Sequence, residues 1–256
     1  MRNFIILFNG HEGSSAIISH LRKFPDINII WYEPLDNCHL KQPLTNPDLL
    51  TLLNYIYDTK IKNRYQLASS LYLKYSDKAL FPFEQNKSVG FKMRIREWPT
   101  LEKVFKEHNV VVLVLIRQNL LKLGVSKCRP NSMQFKLING EIEKNPELKL
   151  DFDVLTKNIQ ICKDLLNYKM TVINRCNKLG ITCHPIFYEE YCNNKELFFS
   201  KILQILEIKM DKETIKQIAN QPCYFKKVHS DELKDFITNY DELVSYAKKN
   251  NLEKYL

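Results

Sequence analysis

The 256-residue chain is 45% hydrophobic and 26% charged, enough to bury a full core, and its length fits one α/β domain more easily than two. Thirty-eight Lys and Arg against 29 Asp and Glu give a net charge of +9, which suits a polyanionic ligand or, because no dense basic run appears, a solvated cationic surface. Seven cysteines without a CxxC pair fit reduced thiols better than a disulfide framework, and six histidines at no ligand spacing from them speak against a metal centre.

The first element is a buried strand, FIILF, at Phe4–Phe8. Its apolar run ends at Asn9, too short for a signal core or a membrane span, and no later segment reaches about eighteen apolar residues, so cytoplasmic residence without membrane insertion is expected. The strand runs through NGHEGSS into an amphipathic helix, AIISHL. That is the layout of a phosphate-binding loop. Gly10 and Gly13 are expected to take positive φ, and Ser14 and Ser15 add hydroxyl donors beside the free N–H groups of the new helix. The GxxxxGK[ST] spacing of a nucleotide triphosphatase is absent, and His11 and Glu12 stand where a cation would be expected.

Further short apolar runs at Ile27–Trp31, Val89–Met93, Val110–Ile116 and His184–Tyr188 read as strands. Helical periodicity marks Ser14–Lys23, Pro47–Asp58, Tyr65–Tyr75, Thr100–Glu107, Gln118–Lys127, Asp151–Leu179 and Lys195–Leu206, with shorter helices beyond and a cap at Ser230–Glu232. In the 151–179 helix, Leu155, Ile159, Cys162, Leu166 and Ile173 share one face. This alternation predicts an α/β fold of three layers, a central and mainly parallel sheet flanked by helices. VVVLVLI at 110–116 holds no polar residue and is expected to be a central strand, so a site should form at its carboxyl end. The stretch 130–150, with Asn139–Gly140 as a turn, breaks the pattern and reads as an inserted hairpin or lid within a single domain spanning 1–256.

Arg117 follows that apolar strand, and Ser126 lies nine residues on in the next helix. An Arg there offers a fixed fork of donors to a phosphate and the Ser adds a hydroxyl; an Arg paired with a surface carboxylate is the plainer alternative.

With these residues in place, the chain resembles the sulfotransferases dependent on 3′-phosphoadenosine 5′-phosphosulfate, closest in style to bacterial carbohydrate sulfotransferases. In that family a strand leads to an [RK]-S-G-[ST]-[ST] loop holding the 5′-phosphosulfate, where this chain has His11-Glu12-Gly13-Ser14-Ser15. Arg117 and Ser126 match, in order and spacing, the Arg and Ser that hold the 3′-phosphate. Weaker echoes follow in order: FPDINIIWYEP with Pro25 and Glu33-Pro34, Gly90-Phe91-Lys92, Tyr188-Glu189 closing a late strand, and Asn239-Tyr240-Asp241 near the end.

The resemblance implies a P-loop-like fold and sulfuryl transfer to a hydroxyl of a carbohydrate or other small molecule, with no metal and no nucleic-acid partner. It implies that Glu33 is the general base, that Gly10, His11, Glu12, Gly13, Ser14 and Ser15 cradle the phosphosulfate, and that Lys226 and Lys227 bring a basic loop to the 3′-phosphate, which Arg129 shares or else caps its helix. His11 replaces the family's Arg or Lys. An imidazole is shorter and only partly charged near neutrality. Three explanations stand: a working substituted site with His11 as the catalytic cation, compensation by Lys92 or Arg94, or a degenerate protein that binds nucleotide without transfer. A P-loop nucleotide kinase would need a loop lysine and a strand-end Asp for magnesium, and the loop offers neither. A nonenzymatic anion or nucleic-acid binder is the reading from another class, though no RNA-binding motif is apparent. Trp31, Tyr32 and Trp98 are candidates for stacking, and Tyr55, Tyr57, Tyr65, Tyr72 and Tyr75 for an aromatic sugar platform or a helix-packing stripe.

Overall fold

The computed structural model describes residues 1–30, 33–35, 40–84, 86–95, 101–129, 137–138, 141–142, 147–222 and 232–256. Trp31, Tyr32, Trp98, Lys226, Lys227, Ser230 and most of 130–150 lie outside the described residues.

In chain order the elements are β1 (Phe4–Phe8), α1 (Ser14–Leu21), β2 (Ile27–Ile29), α2 (Asn46–Tyr57), α3 (Arg64–Tyr72), β3 (Ser88–Arg94), α4 (Glu102–Glu107) and β4 (Val111–Ile116). They continue through α5 (Leu120–Lys127), β5 (Leu137–Ile138), β6 (Glu141–Ile142), α6 (Phe152–Leu179), β7 (Cys183–Phe187), α7 (Tyr188–Asn193), α8 (Lys195–Ile205), α9 (Lys212–Asn220) and α10 (Tyr240–Lys249). Each expected strand and helix is present, most with ends moved by a few residues. The echo at Tyr188-Glu189 opens the short helix α7 rather than closing the strand.

The chain packs as two compact units, one of residues 1–116 and 169–224, the other of residues 117–168 and 225–256. The first holds a five-stranded parallel sheet in the order β2-β3-β1-β4-β7. β1 therefore takes the middle place, and β4, expected to be a central strand, is one, paired on both sides between β1 and β7. A wholly apolar run signals burial on both faces, which β1 and β4 share, and so cannot rank them. From β1 the chain goes to β2 on one side of the sheet, and from β4 to β7 on the other. The carboxyl ends of the adjacent strands β1 and β4 thus flank the place where the winding reverses.

Strand alternation assigns the two faces. Phe4, Ile6, Phe8, Val111, Leu113 and Leu115 pack with Ile17, Ile18 and Leu21 of α1 and Phe198, Phe199, Ile202 and Leu203 of α8. On the opposite face Phe91 stacks on Tyr57 of α2, ring centroids 6.2 Å apart, and Cys176 of α6 meets Cys183 of β7. Helices on both faces make the three layers. Tyr57 also donates its hydroxyl to the carbonyl of Phe4 at 3.1 Å, Tyr72 is buried, and Tyr75 bonds to Asp48. These three tyrosines therefore serve helix packing.

In the second unit, Leu121 and Val125 of α5, Leu155 and Ile159 of α6, and Leu243 and Ala247 of α10 share one core. A side chain at Gly124 would meet Ile159 at 2.7 Å, so the glycine allows α5 to close on α6. Asn239 exchanges two hydrogen bonds with the backbone of Leu150, at 2.9 and 3.1 Å, which gives the Asn-Tyr-Asp echo a packing role. β5 and β6 pair antiparallel, Leu137 with Ile142. α6 is the longest helix described, and no described helix is long and apolar enough to cross a membrane.

Gly90 illustrates how sequence sets packing. It pairs in register with Phe4, and a Cβ there would lie 2.4 Å from the Phe4 ring. Gly90→Ala should cost about 1–3 kcal/mol from overpacking, read as a lower urea midpoint at unchanged slope. Adding Phe4→Leu should recover part of that loss; an unaltered midpoint in the single variant would contradict this packing.

Candidate active site

The loop between β1 and α1 leaves the sheet at its middle strand. His11 has φ 71° and Gly13 has φ 79°, whereas Gly10 lies outside the left-handed region and has open space where a Cβ would be. The left-handed residues are thus His11 and Gly13, which corrects the expectation for Gly10. Histidine is among the residues that tolerate this region better than most, though at a cost of about 1–2 kcal/mol. Gly13 has two reasons to be glycine: its φ, and the Tyr188 ring, which a Cβ would meet at 2.0 Å. Tyr188 thereby forms a wall against the loop. Gly13 caps α1 without a side-chain hydrogen bond.

Glu12 does not oppose an anion with its side chain. It is 4% exposed, accepts from the Asn9 amide at 2.7 Å through Oε2, and meets Lys169 Nζ at 2.5 Å through Oε1. Lys169, itself 1% exposed, also donates to the carbonyl of Leu115 at the end of β4. Glu12 therefore serves the loop as a fastening, with its carboxylate turned into the protein.

The cation at the loop comes from β3. Lys92 is in register with Ile6, so the strand's alternation points it to the face that α1 covers. Its Nζ donates to Ser15 Oγ at 2.8 Å and Ser14 Oγ at 3.3 Å, pairs with Glu33 Oε1 at 2.7 Å, and lies 4.6 Å from the centre of the Phe8 ring. Lys92 is 2% exposed and the Glu33 side chain 17%. Ser14, Ser15 and Glu33, singled out from separate segments, are thus brought together by one ammonium group. Arg94 ends β3 in register with Phe8.

In the second unit Arg117 follows β4, Ser126 occupies the last turn of α5, and Arg129 lies just beyond it. Burial and then the charge of Arg117 lower the Arg129 pKa to about 10. The guanidinium of Arg129 also lies 4.4 Å from the centre of the Phe236 ring. Lys226 and Lys227 lie outside the described residues. Among the described residues no group of three His, Cys, Asp or Glu side chains is placed to hold a metal ion.

Sequence reasoning missed Lys169. Its signal was available: Cys162, Lys169 and Cys176 are spaced by seven along the buried stripe of α6, so a lysine stands where the period calls for an apolar side chain.

No family model matches the chain, and no curated protein sequence matches it. Among solved structures it is similar to a sulfotransferase from Alicyclobacillus acidocaldarius, with TM-score 0.45 and 11% identity over 99% of this chain and 94% of that one. It is also similar to the sulfotransferase domain from the curacin biosynthetic pathway, with TM-score 0.44 and 11% identity over 92% and 82% of the two chains. A third is the sulfotransferase STF9 from Mycobacterium avium, with TM-score 0.45 and 14% identity over 97% and 76%. Likenesses this distant carry no argument about chemistry, which rests on the residues above.

Removing one partner of a buried ion pair leaves an uncompensated charge. Lys169→Met or Glu12→Gln should each cost about 3–5 kcal/mol, and the double variant should recover most of it because both charges are gone. Urea unfolding of the four proteins checks this, and additive losses would contradict the pairing. Gly13→Ala should be destabilised as well, and pairing it with Tyr188→Ala should restore only the share that is not backbone strain.

Proposed function

We propose that this protein transfers a sulfuryl group from 3′-phosphoadenosine 5′-phosphosulfate to a hydroxyl of a carbohydrate or other small-molecule acceptor. The observation that carries the reading is the convergence of Lys92 on both loop serines and Glu33 at the start of α1. An oxyanion at a helix start needs donors and a cation, and acyl-type or phosphoryl-type group transfer to a hydroxyl needs a base nearby. All three chemical elements stand here within one hydrogen-bonded cluster.

The residues fit the donor. Gly10, His11, Gly13, Ser14 and Ser15 would receive the phosphosulfate, with the backbone of Glu12, and Lys92 would supply charge beside it. Arg117, Ser126 and Arg129 are read as the station for the 3′-phosphate, on their places after β4 and in and just beyond the last turn of α5. Lys226 and Lys227 are proposed to join them. When bound, the donor supplies a sulfuryl group whose bridging bond to phosphate breaks as the acceptor oxygen bonds to sulfur, the electron pair leaving with the phosphate. Glu33 takes the acceptor hydroxyl's proton on its carboxylate. Lys92, the two serines and the amides at the start of α1 hold the charge left on the phosphate. The acceptor is proposed to be chosen by a lid at 130–150 and by the segment 36–76. The described cysteines are free thiols, in keeping with the cytoplasmic setting proposed here.

Adenosine 3′,5′-bisphosphate should raise the melting temperature more than ATP with magnesium does; an equal or reversed ranking would sink the transferase reading. Arg117→Ala should weaken the bisphosphate by about tenfold while leaving adenosine 5′-monophosphate nearly unchanged. Loss of both affinities in equal measure would remove Arg117 from the 3′-phosphate.

A further inference from the structure

Lys92 holds two jobs that compete. An ammonium has three N–H donors and no acceptor, and among the described residues the Lys92 ammonium meets Glu33 at 2.7 Å, Ser15 at 2.8 Å and Ser14 at 3.3 Å. With Nζ on Oε1, that oxygen of Glu33 gives one of its lone pairs to an N–H. At the same time the lysine's positive charge is answered by the carboxylate, so the loop offers an incoming anion less attraction than its residues contain. An oxyanion bound by the Ser15 hydroxyl would lie within one hydroxyl of Nζ, and it would compete with Glu33 for the same ammonium.

Resting on the transferase reading above, we propose that Lys92 is an exchangeable cation that links donor binding to release of the base. It is paired with Glu33. With an oxyanion at Ser14 and Ser15 it turns to that anion, and Oε1 regains the lone pair it gave to the lysine. Lys92 thereby supplies the charge that His11, at the position of the family's Arg or Lys, supplies only in part, and it does so from β3 instead of from the loop. By linkage the effect is reciprocal, so whatever removes the carboxylate's hold on Lys92 must strengthen anion binding by the same factor.

This separates Lys92 from a mere structural prop for Glu33. The probe is inorganic pyrophosphate, which carries the anion but neither adenosine nor sulfate, titrated calorimetrically at low salt into the full chain. Glu33→Gln should bind it about fivefold more tightly than the parent, the value of one ion pair whose carboxylate keeps some contact with solvent. Lys92→Met should bind it about tenfold or more weakly. The double variant Glu33→Gln with Lys92→Met carries neither charge, so it guards against a fold lost to an unpaired carboxylate, and it should be as weak as any Lys92→Met protein. Pyrophosphate affinity in Glu33→Gln equal to or below that of the parent, or a double variant binding as well as the parent, overturns the exchange. Because adenosine plays no part in these titrations, the ranking of bisphosphate over ATP can fail and sink the transferase reading while the exchange still stands or falls by itself.

Discussion

The ion pair between Glu12 and Lys169 is the interaction on which the loop depends. Neither charge would persist inside the protein alone, because an unpaired buried ion costs several kcal/mol or shifts to its neutral form. Together they join residues 157 positions apart. Lys169 also donates to Leu115, and Glu12 also accepts from Asn9, so the pair fastens the end of β1, the turn after it, the end of β4 and α6 to one another. A consequence is chemical as well as mechanical. The acidic side chain of the loop is spent on its own scaffold, and the face that α1 presents is left to amides, hydroxyls and Lys92.

β3 shows how a strand's period of two carries this chemistry. Gly90, Lys92 and Arg94 share the face that also bears Phe4, Ile6 and Phe8, while Val89, Phe91 and Met93 face the other layer. Gly90 clears the Phe4 ring, and Lys92 rises at the level of the loop serines. The Gly-Phe-Lys echo is therefore three separate requirements in consecutive residues: room for a ring, a ring for the opposite core, and a cation for the loop. A shift of one residue would exchange the two faces and bury the lysine among α2 and its neighbours.

Much of the fold was legible because parallel strands covered on both faces must be apolar along their whole length, and Phe4–Phe8 and Val111–Ile116 announce themselves in that way. Order within the sheet was not legible, since burial is equal at β1 and β4. Ser14, Ser15 and Glu33 could be selected as separate candidates from their neighbours in sequence, yet their meeting through Lys92 depends on the register of β3 against β1, which no local pattern encodes. Lys169 was hidden for a related reason. A lysine on a helix is ordinarily a solvated one, and only its place in the sevenfold spacing of the buried stripe of α6 marks it as different. Tyr188 was visible as part of an echo, but its pressure on Gly13 arises from the fold alone.

His11 is better understood through its backbone than through its ring. The turn requires a left-handed residue between Gly10 and Glu12, and histidine belongs to the short set of side chains that accept this region more readily. A loop that satisfies its backbone with histidine gives up a permanent cation at that position. Lys92 provides one, already hydrogen-bonded to both serines. Buried ion pairs are poor sources of stability, since apolar side chains of similar volume often serve a fold as well or better. The pairing of Lys92 with Glu33 therefore makes more sense as a charge kept ready for exchange than as a brace, whereas Glu12 with Lys169, sealed from solvent and bonded to two backbone groups, has the character of a brace.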